Sequence, residues 1–115
     1  MKVLVCGGRT YDKLWRVYEV LDSIHEETPI TELIQGGAAG ADRLAKCWAE
    51  ERIGESTEYK ADWDRYGRSA GPIRNQQMLD EGKPDLVVAF PGTRGTADMI
   101  ERTRKANIEL TIIHA

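Results

Sequence analysis

Short apolar runs alternate along the chain with longer segments in which apolar residues recur every three or four positions. Residues 2–6, KVLVC, form a continuous apolar run rich in valine, which is typical of a parallel strand buried on both faces. Residues 13–27 have helical periodicity, and Asp12 could cap this helix. The apolar stripe of the predicted helix comprises Leu14, Val17, Tyr18, Leu21 and Ile24.

The rest of the chain repeats this alternation of strands and helices. The predicted strands are residues 31–35, 56–60, 85–90 and 109–113, and the predicted helices are residues 40–53, 72–81 and 96–106. Residues 61–71 are predicted to be a loop. The order β-α-β-α-β-α-β-α-β indicates an α/β fold with an open parallel sheet, right-handed crossovers and helices on both faces. No repeat or linker interrupts the pattern, so we predict one domain over residues 1–115.

Three glycine-containing loops follow the first, second and fourth predicted strands. Because the carboxyl ends of parallel strands meet at one edge of a sheet, these loops are expected to surround one crevice. Each loop leads into a helix whose first N–H groups lack partners and whose dipole attracts anions, and glycine lets the backbone approach a phosphate closely. The sequence therefore predicts an anion-binding crevice, although neither a Walker A loop nor the G-x-G-x-x-G spacing is present. The loop residues assigned to this crevice are Gly7, Gly8, Arg9, Thr10, Gly36, Gly37, Gly40, Gly92, Thr93, Arg94, Gly95 and Thr96.

Polar and aromatic residues outside these loops are further candidates for ligand contact. Arg68, Arg74 and Asn75 gather around the start of the third long helix. Trp63 could stack on a base, since aromatic stacking tolerates any base, or it could pin a loop to the core. Asp42, in the first turn of the second helix, either stabilises the helix dipole or serves the crevice by contacting a ribose hydroxyl or polarising water.

Composition and charge indicate which class of ligand the crevice binds and which cellular compartment the protein occupies. The net charge of −3 and the pI of about 5.4 argue against a surface built for nucleic acid, so local arginines suit a small anionic ligand better. Cys6 and Cys47 have no motif spacing and are predicted to be buried in a reducing compartment. His25 and His114 also lack ligand spacing, so no metal site is predicted. No apolar run approaches membrane-spanning length, and we expect a cytoplasmic protein without membrane contact.

Four segments carry a resemblance to a known family. GGRTY, GGAAGADRLAKCWA, ADWDRYGRSAGPIRNQQM and FPGTRGTADM, in this order, resemble the YspA-like branch of the SLOG superfamily, over nearly the whole chain. The resemblance implies a Rossmann-like sheet of order 3-2-1-4-5. It also implies a site for a nucleotide or nucleotide-derived ligand, such as a nucleoside monophosphate or an ADP-ribose-like molecule. No cofactor is predicted. It leaves the reaction open, because the superfamily includes enzymes, ligand sensors and a single-stranded DNA binder.

The loop after the fourth strand is similar to a motif of the lonely-guy phosphoribohydrolases, which belong to the same superfamily. Their motif is P-G-G-x-G-T-x-x-E, and the residues that match it are Pro91, Gly92, Gly95 and Thr96. Thr93 replaces the second glycine, and Arg74 matches the arginine of the preceding helix. The resemblance therefore implies that the phosphate site is largely retained.

The same motif lacks its catalytic carboxylate at the usual position, because Met99 stands where the family has glutamate. Asp98, one position earlier, lies about 100° away around a helix and would substitute only if the helix began differently. Restoring glutamate by Met99→Glu is expected to raise hydrolysis if the rest of the site is competent.

Three functions follow from these observations. The first is a nucleotide-ligand-binding protein that acts as a sensor or sequestering module, which the retained phosphate site and the missing glutamate favour. The second is an N-glycosidic hydrolase, in which Asp42, Asp64 or Asp98 would supply the carboxylate. The third is a single-stranded nucleic-acid binder, which the acidic pI disfavours.

A homodimer is also predicted. Trp15 and Val20 fall off the packing stripe of the first helix and suggest a second apolar face there. The resemblance points the same way, since lonely-guy enzymes are dimers.

Overall fold

The computed structural model describes residues 1–115 as five strands and five helices joined by short connections. The strands are β1 (Lys2–Cys6), β2 (Glu32–Gln35), β3 (Thr57–Glu58), β4 (Leu86–Ala89) and β5 (Glu109–Ile112). The helices are α1 (Leu14–Glu27), α2 (Ala41–Arg52), α3 (Trp63–Tyr66), α4 (Ala70–Gly82) and α5 (Arg94–Lys105), with a 3₁₀ turn at Gly67–Ser69.

The sheet has the predicted architecture. All its strand pairs are parallel, and the order is β3-β2-β1-β4-β5, which confirms the order that the resemblance implied. Leu4 at the centre of β1 is paired with Ile34 of β2 on one side and with Val87 of β4 on the other. The chain order therefore reverses at β1, and the carboxyl ends of β1 and β4 open there into a crevice.

Two apolar clusters cover the two faces of the sheet. Val3 and Val5 of β1 lie in the cluster that contains Trp48 of α2, whereas Leu4 lies in the cluster that contains Met78 of α4 and Met99 of α5. Because neighbouring strand residues face opposite sides, a strand covered on both sides must be apolar at every position. This explains the continuous run KVLVC and confirms helices on both faces of the sheet.

The segment predicted to be a loop, residues 61–71, is largely helical. The side chain of Asp62 accepts a hydrogen bond from the backbone N–H of Arg65 and caps α3. Gly67, with φ of 55°, ends this helix, and α4 begins at Ala70 rather than at Pro72. The proline fits in the first turn of α4 because the N–H that it lacks would have no partner there.

Other boundaries agree with the predictions to within about two residues, but two local interpretations were wrong. Lys13, not Asp12, is the N-cap of α1, and it makes no side-chain capping bond. Cys47 is exposed on the outer side of α2, so only Cys6 is a buried thiol. No helix is both long and apolar enough to cross a membrane.

The outer surface of α1 is less apolar than predicted. Leu14, assigned to the packing stripe, is exposed, while Val20, assigned to a second face, packs against the core. Trp15 is 64% exposed, so the second face consists of Leu14 and Trp15 alone. The homodimer stays a prediction.

Candidate functional site

A crevice of about 810 Å³ lies at the carboxyl edge of the sheet, between the loops after β1 and β4 and the segment that runs through α3 into α4. Most of the predicted site residues line it. They are Gly7, Gly8, Arg9, Thr10, Asp42, Trp63, Arg68, Arg74, Asn75, Pro91, Gly92, Thr93, Arg94, Gly95, Thr96 and Asp98. Gly36, Gly37 and Gly40, from the loop after β2, do not line this crevice.

The glycines of the β2 loop serve the packing of the loop itself. Gly36 lies against the guanidinium of Arg74, and a Cβ at Gly36 would be 2.5 Å from Arg74 Nη1. At Gly40, φ is +76° and a Cβ would overlap the carbonyl of Gly8. Gly36 and Gly37 border a smaller adjoining cavity of about 310 Å³ instead. The sequence could not separate glycines that admit a ligand from glycines that admit a neighbouring backbone.

Asp42 holds the β2 loop in place. Its carboxylate accepts hydrogen bonds of 3.2 Å from the backbone N–H groups of Gly36 and Ala38, and the residue is only 6% exposed. Burial raises the pKa of Asp42 to about 6, against the opposing effects of the Ala38 N–H, the Arg74 charge and the Gly36 N–H. Asp42 therefore anchors the β2 loop through these contacts, and it also forms part of the crevice wall.

Asp42→Asn is expected to change how stability depends on pH. Because burial raises the pKa of Asp42 in the folded protein above the usual value of 3.8, the protonated carboxyl stabilises the fold fully below about pH 3.8. This stabilisation is lost as the pH rises through about 6. The unfolding free energy of the wild type relative to Asp42→Asn should therefore fall by roughly 2 kcal/mol between pH 4 and pH 7. Urea denaturation across this range measures the difference.

Glu58→Gln provides a control of opposite sign. The hydrogen bond from Gln35 lowers the pKa of Glu58, so this carboxylate stabilises the fold above its usual pKa and loses that effect as the pH falls. The unfolding free energy of the wild type should therefore rise relative to that of Glu58→Gln as the pH increases from 3 to 5. A pH-independent difference between the wild type and Asp42→Asn would contradict the role given to burial at Asp42.

The start of α5 carries the features of an anion site. Thr93, its N-cap, makes no side-chain capping bond, and no acidic residue occupies the first turn. The first N–H groups of the helix have no partner within it, and the helix dipole adds positive potential there. Arg94 and Gly95 are exposed in the same turn, and no protein atom lies within 4 Å of a Cβ added at Gly95. An anionic group can therefore reach the backbone at this point.

The β1 loop is fixed against the β4 loop. The N–H of Gly8 donates a 2.8 Å hydrogen bond to the carbonyl of Pro91, and a Cβ at Gly92 would overlap the Thr96 hydroxyl. Both glycines are therefore required by the close approach of the two loops, which together shape one wall of the crevice.

Arg74 and Asn75 are both hydrogen-bonded within the protein. Arg74 Nη1 donates to the Gly36 carbonyl at 2.5 Å, and Arg74 Nε donates to Asn75 Oδ1 at 3.1 Å. Asn75 Nδ2 in turn donates to Asp98 Oδ2 at 3.0 Å and to the Gly95 carbonyl at 3.3 Å. Arg74 thus ties the β2 loop to α4, and Asn75 ties α4 to the start of α5.

Asp98, not residue 99, places a carboxylate in the crevice. The hydrogen bond from Arg102 Nε to Asp98 Oδ2 is 2.8 Å long. Burial alone would raise the pKa of Asp98, but the hydrogen bonds from Arg102 and Asn75 outweigh it and hold the pKa below its usual value. Met99 is fully buried in the apolar cluster between the sheet and helices α4 and α5 and does not line the crevice. The expected gain in hydrolysis from Met99→Glu stays untested, but the burial of residue 99 argues against it.

Sequence reasoning missed several residues at this site. Arg102 holds Asp98 through an i,i+4 pair, and that spacing was visible in the sequence. Tyr11 and Asp12 line the crevice because the chain after Thr10 continues along its rim before α1 begins. Cys6 also lines it, and burial raises the pKa of its thiol to about 12, which makes it a poor nucleophile.

Comparisons with known proteins agree with the fold and the motifs. The model of the YspA, cpYpsA-related SLOG family matches residues 1–66, which span β1 to α3 and include the first two glycine loops. The Gene 61 protein of Mycobacterium phage D29 is 34% identical to this chain, in an alignment that covers 93% of this chain and 91% of that protein. The chain belongs to the YspA, cpYpsA-related SLOG family.

Proposed function

We propose that this protein binds a nucleotide or a nucleotide-derived ligand in the crevice, with a phosphate at the start of α5, and acts as a sensor or sequestering module. Membership of the SLOG family suggests a ligand of this class. The observation that carries the proposal is the uncapped first turn of α5, with Arg94 beside it and open space over Gly95.

The charge and size of the crevice fit such a ligand. The chain has a net charge of −3, yet the charged residues of the crevice carry a small positive excess. Four arginines lie there against three aspartates, namely Arg9, Arg68, Arg74 and Arg94 against Asp12, Asp42 and Asp98. A local positive excess in an acidic protein favours a small anion. The volume of about 810 Å³ lies in the range of small-molecule sites.

A second candidate function is N-glycosidic hydrolysis of the same ligand. One observation favours it: Asp98 lines the crevice and is held by Asn75 and Arg102 with a lowered pKa. An ionised carboxylate near a ribose could stabilise the oxocarbenium-like state of such a reaction. Binding without turnover remains our first proposal, because the buried Met99 stands where the lonely-guy enzymes have glutamate.

Calorimetry with the four nucleoside 5′-monophosphates and the matching nucleosides tests the proposal. We expect each monophosphate to bind at least about tenfold more tightly than its nucleoside, since even one charge-assisted hydrogen bond contributes about 1.5 kcal/mol. No binding, or equal affinity for nucleotide and nucleoside, would rule out the phosphate site. Chromatography of the same mixtures separates the two candidates, because released free base would identify a hydrolase.

A further inference from the structure

Trp63 is a large aromatic side chain that the packing of the fold does not account for. It is 48% exposed and belongs to neither apolar cluster. The capped helix α3 nevertheless presents it at a defined place, where it lines both the main crevice and the smaller cavity beside it. A half-exposed tryptophan that lines two cavities offers an aromatic face to a ligand.

The indole is supported by a glycine of the next helix. A Cβ at Gly71, in the first turn of α4, would lie 3.3 Å from Cη2 of Trp63, so the absence of a side chain lets the ring edge approach the helix. The edge of the indole therefore packs against α4, and one face of the ring is covered by Arg9, which also lines the crevice.

Arg9 covers the indole without a competing partner of its own. Its guanidinium carbon lies 5.4 Å from the ring centroid of Trp63. None of the ion pairs of the chain includes Arg9, although it is one of the arginines that line the crevice. A cation–π contact at an exposed site is weak, so another planar group can replace the guanidinium on the ring.

Resting on the proposed function, we propose that Trp63 is the base-binding residue of the crevice and that the heterocyclic base of the ligand stacks on its indole in place of Arg9. The base is a purine or a pyrimidine, because stacking on an aromatic ring uses the π-face that every nucleobase has. Arg9, released from the ring, remains at the crevice wall as a cation for the anionic part of the same ligand. Phosphate and base are thereby recognised by different elements, α5 and α3.

The experiment compares each nucleoside 5′-monophosphate with ribose 5-phosphate, which carries the phosphate and the sugar but no base. Calorimetry is carried out on the wild type, Trp63→Ala and Trp63→Phe, with Trp15→Ala as the matched control. Trp15 is the better-exposed tryptophan at 64%, and it lies outside both cavities. Circular dichroism and thermal melting confirm that each variant is folded.

Trp63→Ala should lower the preference for nucleotide over ribose 5-phosphate by roughly 5- to 150-fold, the range for the loss of one stacked base. Trp63→Phe should restore most of that preference, and Trp15→Ala should leave it at the wild-type value. Binding of nucleotides should also quench tryptophan fluorescence in Trp15→Ala but not in Trp63→Phe.

An unchanged preference in folded Trp63→Ala would overturn the base-binding role while leaving the phosphate site intact. A wild type that binds ribose 5-phosphate as tightly as every nucleotide would overturn it as well. Failure of the wild type to bind any of these probes would overturn the proposed function together with this inference.

Discussion

Gly95→Val is expected to abolish nucleotide binding and to leave the protein folded. Gly95 lies in the first turn of α5, and a Cβ at this position meets no protein atom within 4 Å. The valine side chain would therefore enter the crevice and not the core, and it would block access of a phosphate to the N–H groups of the helix start. Losing two or more charge-assisted hydrogen bonds corresponds to at least about 3 kcal/mol, or more than roughly 100-fold in affinity.

The stability of Gly95→Val should match that of the wild type or slightly exceed it, since valine has a somewhat better helix propensity than glycine. Calorimetry with the tightest-binding nucleotide and thermal melting measure the two properties separately. Ala97→Val is the matched control, because Ala97 is exposed on the same helix two residues further on and does not line the crevice. Wild-type affinity in folded Gly95→Val would show that the phosphate lies elsewhere.

The difference between Gly95 and Gly40 shows how far the sequence predicts this site. Topology alone places all three glycine loops at one edge of the sheet, so the crevice itself could be predicted from the alternation of strands and helices. The sequence does not reveal that the Gly40 backbone lies against the carbonyl of Gly8 while Gly95 faces open space. That distinction depends on how two loops pack, which is a property of the folded chain.

In the fold too, elements with a clear periodic pattern could be predicted from the sequence, and elements that depend on local contacts could not. The run KVLVC predicts a central strand because apolar residues at consecutive positions fit a sheet covered on both faces. Helix α3 has only four residues, too few for a periodic pattern, and it depends on the Asp62 cap and on Gly67 at its end. It was therefore missed, although it carries Trp63 to the crevice.

The orientation of α5 explains why the carboxylate lies at Asp98. Thr96, Met99 and Thr103 are buried at spacings of three and four residues, which mark the face of the helix that packs on the sheet. Residue 99 belongs to that face, and residue 98 projects toward Asn75 and the crevice. A motif match alone could not identify this rotation, whereas the burial pattern of the helix does.

Met99→Glu should consequently destabilise the protein and add no activity. Met99 is fully buried in a cluster with Leu4, Met78 and Val87. Glutamate is close to methionine in volume, so the main cost is the burial of a carboxyl group without a hydrogen-bond partner, which is roughly 2–7 kcal/mol. We expect the unfolding free energy to fall by about 4 kcal/mol or more.

The destabilisation by Met99→Glu should grow as the pH rises, because burial raises the pKa of the introduced carboxyl in the folded protein. The unfolded chain then gains more from ionisation at neutral pH than the folded chain does. Urea denaturation at pH 5 and pH 8 measures this difference. Ala97→Glu, which introduces the same side chain at an exposed position of α5, should remain close to the wild type at both values. A folded Met99→Glu protein of wild-type stability that releases free base from a nucleotide would place residue 99 in the crevice, and the assignment of Asp98 as the carboxylate of the site would fall with it.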